Sequence, residues 1–208
     1  MTRLCVAPIV EGHGEDLSVR TLLDRIWREL LGGEYIHVLR PIRRPRSALI
    51  KPEGLQNAVR LACLKLREAV SPGDHALVLV LIDSDAEPPC LIGPSLQATA
   101  AGASAVDASV VLAHVEYETW FVAAAASLTG HLVIGLDEAL PADPEGARSG
   151  KGWIMGHFRG ARYSETIDQP SMTARMDLAL CRSRSSSFDK LCRELEKRLA
   201  GSGSSTSS

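Results

Sequence analysis

The segment HALVLVLIDSD at residues 75–85 decides the fold, because it joins the strongest strand pattern in the chain to acidic residues directly after it. Its apolar run at 76–82 lacks the alternation of a half-exposed strand and is typical of a strand covered on both faces. Two similar runs are LCVAPIV at 4–10 and SVVLAHV at 109–115. Together they predict a central sheet with parallel strands.

Segments with helical spacing separate these runs. Helices are predicted at about residues 15–31, 52–70, 95–105, 119–127, 153–160 and 188–199, and a further short strand at 35–39. The alternation of strands and helices predicts an α/β fold. We expect a doubly wound, mostly parallel sheet of about four strands with helices on both faces, plus a small helical C-terminal extension.

The chain is expected to form one catalytic core with an extension. Residues 1–130 are predicted to be the core, and residues 131–200 a C-terminal extension packed on it. The final segment, GSGSSTSS at 201–208, is a low-complexity tail that we expect to be disordered.

The composition favours a soluble cytoplasmic protein. Hydrophobic residues make up 45% of the chain, enough for a core, yet no apolar stretch reaches the ~20 residues of a membrane helix. The N-terminus runs into a strand and an acidic turn, which is not the pattern of a signal peptide. Five cysteines without a CxxC pair argue against a zinc ribbon or a redox dithiol, so we expect reduced, mostly buried thiols.

An acidic pair follows each of the three apolar runs. The pairs are Glu11 and Glu15, Asp83 and Asp85, and Glu116 and Glu118. The carboxyl ends of parallel strands meet at one edge of a sheet, and crowded carboxylates disfavour one another's ionisation. They therefore either point apart into solvent or converge on hard divalent cations. Oxygen ligands suit Mg²⁺ or Mn²⁺, and two groups of acids suit a two-metal site acting on a phosphodiester.

A basic segment, LRPIRRPRSALIK at 39–51, follows the second predicted strand. Its basic residues are Arg40, Arg43, Arg44, Arg46 and Lys51. Two prolines predict a projecting loop, whose arginines either contact nucleic-acid phosphates or are simply solvated. The net charge is −2, from 23 basic and 25 acidic residues. If the six carboxylates bind metal, basic residues exceed the remaining acids, which is compatible with a nucleic-acid partner without requiring one.

The acidic motifs resemble those of the Toprim domain. They are ExxxE from Glu11, DxD from Asp83 and ExE from Glu116, each after a predicted strand. Their arrangement is similar to that of the OLD-family (overcoming lysogenisation defect) nucleases. The strings VEGHGE, LIDSDA, VEYETWF and GKGW are also similar to an uncharacterised bacterial family of stand-alone Toprim-like proteins, domain of unknown function 4276. The resemblance covers roughly residues 4–155.

The resemblance implies a role for each acid and for one lysine. It implies one Mg²⁺ or Mn²⁺ ion held by Glu11, Asp83 and Asp85, and a second held by Glu15, Glu116 and Glu118. Glu11 would also act as general acid or base. Lys151, in the GKGW string, matches a lysine that stabilises charge on the scissile phosphate.

Departures from other Toprim proteins narrow the expected activity. Toprim topoisomerases need a separate domain with a nucleophilic tyrosine, and Toprim primases work with a zinc-binding module, whereas this chain has no CxxC pair. OLD nucleases carry an ATPase domain ahead of the Toprim domain. We therefore expect a hydrolytic nuclease acting on DNA or RNA, with a separately encoded ATPase as a candidate partner. Defence against mobile DNA is an expectation from family analogy.

Two other functional classes remain open. The first is a non-catalytic, metal-binding regulatory or partner-binding protein, which would melt in a metal-dependent way without turnover. The second is a phosphohydrolase of small substrates. Neutralising the arginines of the basic segment at 39–51 distinguishes this second class from a nuclease. In a small-substrate enzyme, the substitutions would leave nucleic-acid binding unchanged.

Overall fold

A parallel sheet forms the centre of the protein. The computed structural model describes residues 3–135, 138–146 and 149–202, with side chains described through residue 199. Five strands are present in these ranges: β1 (Leu4–Val10), β2 (Ile36–Val38), β3 (Ile42–Arg43), β4 (His75–Asp83) and β5 (Asp107–Ala113). The order is β2-β1-β4-β5, and β3 also pairs with β1. Every pairing is parallel, which confirms the predicted α/β class.

Helices cover both faces of this sheet. They are α1 (His13–Arg25), α2 (Arg46–Leu49), α3 (Pro52–Ala69), α4 (Pro89–Ala103), α5 (Glu118–Ala123), α6 (Gly150–His157), α7 (Asp168–Thr173), α8 (Leu178–Arg184) and α9 (Ser186–Ser202). A wide turn extends α1, in which the Leu31 N–H donates to the Ile26 carbonyl at 3.0 Å. Gly32 then ends the helix with a φ of 73°, a conformation that favours glycine.

Alternate residues of the central strands enter two separate cores. On β4, Leu77, Leu79 and Leu81 face a core completed by α1, α5 and the helices after residue 150. The intervening Val78 and Val80 face the second core, completed by α2, α3 and α4. Side chains on both faces are therefore buried, as expected for a continuous apolar strand in a doubly wound sheet. Residues beyond 130 contribute to the first core rather than forming one of their own.

Several predicted boundaries differ from the structure. The segment at 39–51 is not a projecting loop, since β3 pairs with β1 and α2 follows it directly. A pairing of two residues is too short to leave a periodic pattern in the sequence. The helix predicted at 153–160 begins earlier, at Gly150, so Lys151 lies in the first turn of α6. The final helix continues to Ser202, so the first two residues of the predicted tail are helical, and residues 203–208 lie outside the described chain.

Two other observations concern membrane and redox chemistry. Within the described ranges, no helix is long and apolar enough to cross a membrane. The cysteines are free thiols, with Cys5, Cys181 and Cys192 buried, Cys63 half-buried and Cys90 exposed. The expectation of mostly buried thiols is therefore confirmed.

Candidate active site at the carboxyl edge of the sheet

The strand register brings the predicted acids to one edge of the sheet. Val10 of β1 lies beside Leu81 of β4, and Asp83 lies beside Ala113 of β5. The three strands thus end at similar heights. Glu11 and Asp85 follow β1 and β4, Glu15 lies in the first turn of α1, and Glu116 and Glu118 precede and begin α5.

The carboxyls at this edge influence one another electrostatically. Burial raises the pKa of Glu11 to about 7, and the charges of Glu15 and Asp85 add to the effect. Burial raises the pKa of Asp83 well above its usual value, with further contributions from Glu11, Glu15 and Glu118. Burial also raises the pKa of Glu118 to about 6. The sheet edge therefore holds more negative charge than it can neutralise by itself.

Glu11 and Asp83 are the acids with the least saturated environment. The buried Oε2 atom of Glu11 has no hydrogen-bond partner among the described residues. The Oδ1 atom of Asp83 accepts one hydrogen bond, from the Tyr117 N–H at 2.9 Å. A buried carboxylate oxygen without a donor costs free energy, so this pair is best placed to accept a cation.

Asp85 is held by an arginine from the basic segment. Asp85 adopts a φ of 51°, in the left-handed region, and its Oδ2 atom lies 3.1 Å from Arg46 Nε. The Arg46 guanidinium also donates to the carbonyls of Asp83 and Ser84, each at 3.0 Å, and to Glu87 at 2.8 Å. Arg46 therefore fixes the turn after β4, and its charge also lowers the pKa of Glu11.

Glu116 is engaged by the start of α6. Its Oε1 accepts from the Ser149 hydroxyl at 2.7 Å, and its Oε2 accepts from the Lys151 N–H at 3.1 Å. Ser149 also caps the helix by accepting from the Gly152 N–H at 2.9 Å. The Lys151 ammonium forms an ion pair with Glu165. Glu116 thus joins the acidic edge to the helix that carries Lys151.

Glu118 and Glu15 are the most enclosed acids of the group. Glu118 is 4% exposed, and its Oε1 accepts from the Tyr163 hydroxyl at 3.0 Å. Glu15 is 7% exposed and lies against the backbone of Gly12, where an added Cβ would overlap its carboxylate. A side chain at position 12 would displace the Glu15 carboxylate from its present position, so Gly12 leaves room for Glu15 at the sheet edge.

The residues predicted to bind nucleic acid fall into two groups that differ in exposure and contacts. Arg43 is exposed and pairs in register with Val10, while the exposed Arg44 donates its N–H to the Val10 carbonyl at 2.9 Å. They therefore lie directly beside Glu11. The exposed Arg40 and Lys51 flank them on either side of the segment. Arg46 is different, because it is partly buried and bound to the turn after β4.

The acids do not form a finished coordination sphere. In the part of the chain that the structure describes, no group of three or more His, Cys, Asp or Glu side chains is arranged to hold a metal ion. Asp85 and Glu116 are turned toward Arg46 and α6 respectively. Metal binding would require these side chains to reorient toward Glu11 and Asp83.

Sequence reasoning missed several residues that organise the site. Tyr163, Glu165 and the positioning role of Arg46 are examples, and no local pattern marks them because each acts on a residue at least 14 positions away. Ser149 did carry a signal, since a serine one residue before a helix is a common N-cap.

The raised pKa values predict a pH-dependent stability of the metal-free protein. Unfolded Glu titrates near about 4.3, so the stability contributed by Glu118 and Glu11 is complete below that pH. It is lost as pH rises through their folded pKa values of about 6 and about 7. Carboxyls with lowered pKa values, such as Glu194 at about 2, stay ionised in this window. Urea unfolding in EDTA should therefore show a falling free energy of unfolding between about pH 5 and pH 8.

The substitution Glu11→Gln isolates the part of this dependence that belongs to the site. The variant should show a shallower decline, because one titrating carboxyl has become a neutral amide. Parallel pH profiles for wild type and variant would contradict the assignment of a raised pKa to Glu11.

Comparison with known proteins places the chain in one family. The family model described as Domain of unknown function (DUF4276) matches residues 10–196. The match includes all three acidic pairs, α6 and most of α9, so the chain belongs to this family. No curated protein and no solved structure matches the chain.

Proposed function

We propose that this protein is a Toprim-like, Mg²⁺- or Mn²⁺-dependent nuclease that hydrolyses phosphodiester bonds in DNA or RNA. The supporting observation is the convergence of Glu11, Asp83 and Glu118 at one sheet edge, where their pKa values are raised by burial and mutual repulsion. Strand-end carboxylates of this kind are typical of phosphoryl-transfer centres that use hard cations.

The donor set fits such a cation. It consists of carboxylate oxygens only, and the buried Glu11 Oε2 atom has no hydrogen-bond partner in the described part of the chain. We propose Glu11, Asp83 and Asp85 as ligands of one ion, and Glu15, Glu116 and Glu118 as ligands of a second. A bound Mg²⁺ or Mn²⁺ would supply Lewis-acid stabilisation of the phosphate and a more acidic water.

The residues of the chain would handle the proton and the substrate charge. The Glu11 carboxylate, beside the proposed ions, would take the proton from the attacking water. The Lys151 ammonium, on exchanging Glu165 for the substrate, would stabilise charge on the scissile phosphate. Arg43 and Arg44, beside Glu11, would contact flanking phosphates, with Arg40 and Lys51 next to them.

The cellular setting is a further part of the proposal. A cytoplasmic location agrees with the free thiols, because reducing compartments keep cysteines unpaired. A separately encoded ATPase as partner, and a role in bacterial defence against mobile DNA, are supported by the resemblance of the acidic motifs to those of OLD nucleases.

Metal-dependent cleavage tests the proposal directly. Purified protein is incubated with supercoiled plasmid, single-stranded DNA and RNA in Mg²⁺, Mn²⁺ or EDTA, and products are resolved on gels. We expect cleavage with either metal and none in EDTA. Glu11→Gln should reduce the rate at least about a hundredfold, whereas Glu34→Gln, at an exposed position, should match wild type.

Three results would contradict the proposal. Full activity of Glu11→Gln would remove Glu11 from the reaction. Turnover of a small phosphodiester such as bis(p-nitrophenyl) phosphate, with every nucleic acid left intact, would make the protein a small-substrate phosphohydrolase. Metal-dependent melting without turnover of any substrate would instead indicate a non-catalytic metal-binding protein.

A further inference from the structure

A concave pocket lies beside the acidic edge and shares Lys151 with it. Its volume is about 550 Å³, within the range of pockets that hold small organic groups. The pocket is lined by Lys151, Met155, Arg162, Tyr163, Ser164 and Thr166, together with Glu165. Tyr163, which forms one wall of the pocket, also donates its hydroxyl hydrogen bond to Glu118. Pocket and acidic edge are therefore contiguous.

The lining combines apolar and phosphate-binding groups. Met155 is 54% exposed and the adjoining Ile167 is 71% exposed, which leaves apolar surface next to a charged centre. Within the described residues, the exposed Arg162 side chain has no hydrogen bond or ion pair. The hydroxyls of Ser164 and Thr166 lie 3.3 Å apart at the same wall. A flat apolar base and its sugar-phosphate match this mixture of groups.

The neighbouring depression on the other side of Glu116 has the opposite character. Its volume is about 720 Å³, and its lining includes the acids Asp85, Glu87, Glu116 and Glu145. A polyanion would be repelled there. A nucleic-acid strand bound at Glu11 and Asp83 would therefore leave along the side of Lys151 and Arg162.

We propose that the pocket behind Lys151 binds one unstacked nucleotide of a single-stranded nucleic acid, next to the scissile phosphate. This inference rests on the proposed nuclease function and names its substrate class. The base packs on Met155 and the part of the Tyr163 side chain that lines the pocket, and Arg162 with the two hydroxyls binds the adjoining phosphate.

The shape of the pocket explains the preference for single strands. In a duplex each base is stacked and paired inside the helix, so a concave pocket receives it only after extrusion. Extrusion costs a few kcal/mol in a duplex and much less in a single strand. The protein should therefore bind a single strand at least about tenfold more tightly than a duplex of the same sequence.

Binding in a cleavage-deficient background tests the inference. Fluorescence anisotropy is measured in Mn²⁺ with the Glu11→Gln protein and labelled single-stranded DNA, single-stranded RNA or duplex DNA. Adding Arg162→Ala should weaken single-strand binding about fivefold and reduce the slope of log affinity against log salt by about one. Adding Met155→Ala should weaken it by a similar factor with the salt slope unchanged. Arg60→Ala, at an exposed arginine of α3, is the matched control and should have no effect.

The outcomes separate this inference from the nuclease assignment. Equal affinity for single strand and duplex, or no effect of both pocket substitutions, would overturn the pocket while metal-dependent cleavage could still stand. Single-strand preference that is lost in Arg162→Ala and Met155→Ala would support the pocket even if no cleavage were found. The DNA and RNA arms show which sugar the pocket accepts.

Discussion

The variant Asp83→Asn should lose cleavage activity and, at the same time, unfold at a higher temperature than wild type when no metal is present. We expect a rate reduction of about a hundredfold or more, since a carboxylate ligand becomes a neutral amide. In EDTA at about pH 8, we expect the free energy of unfolding to rise. The two effects go in opposite directions because the same charge serves the proposed chemistry and opposes folding.

The physical reason is the position of the Asp83 carboxyl. Burial raises its pKa well above the usual value, and the charges of Glu11, Glu15 and Glu118 raise it further. Above the usual pKa of Asp, the folded state must therefore either take up a proton at Asp83 or hold a buried charge, and the unfolded state bears neither cost. Asparagine keeps the shape and the acceptor for the Tyr117 N–H, so the substitution removes charge without leaving a cavity.

A matched change at the opposite end of the sheet provides the control. Asp107 begins β5 and its side chain is 69% exposed, 3.4 Å from Arg198. Asp107→Asn should leave the midpoint of thermal unfolding nearly unchanged, because an exposed ion pair contributes less than about 1 kcal/mol. If Asp83→Asn instead lowers the unfolding midpoint in EDTA, the carboxylate is stabilising and the argument for a cation-binding edge fails.

The central sheet was readable from sequence because its signals are local. Each apolar run carries enough consecutive Val, Leu and Ile to identify a strand buried on both faces, and Gly32 marks the end of the first helix. Parallel strands end at one edge, so the acids after β1, β4 and β5 could be placed together before any coordinates were known.

The immediate partners of those acids were not readable from sequence. The Tyr163 hydroxyl reaches Glu118 across 45 positions, and Arg46 reaches the Asp83 carbonyl across 37. The first pairing depends on how the segment after residue 130 folds back onto the core, and the second on the short strand β3 and helix α2, which bring Arg46 to the turn after β4. The sequence pattern also treats all six carboxylates alike, whereas in the folded protein Asp85 pairs with Arg46, and Glu11 Oε2 has no partner among the residues that the structure describes.

Arg46→Ala is expected to be the most damaging change in the basic segment. It removes a guanidinium that donates to the carbonyls of Asp83 and Ser84 and pairs with Asp85. Partly buried carbonyls would lose their donors, so we expect a loss of about 1–3 kcal/mol in the free energy of unfolding by urea. The left-handed turn at Asp85 would also loosen, and Mn²⁺ affinity, measured by titration calorimetry, should fall about tenfold or more.

Arg44→Ala is the informative comparison, because Arg44 lies two residues before Arg46 and makes different contacts. Among the described residues, its guanidinium donates only to the carbonyl of Arg43 at 3.0 Å, so stability and Mn²⁺ affinity should stay at wild-type values. Its loss should instead weaken nucleic-acid binding and reduce the salt dependence. Arg46→Lys should be intermediate, since an ammonium retains the charge but not the planar fork that reaches both carbonyls. If Arg46→Ala and Arg44→Ala behave alike in unfolding and in metal binding, Arg46 contacts the substrate and does not stabilise the turn after β4. The reason is that, in the absence of nucleic acid, only a residue that holds the metal ligands in place can change the metal affinity.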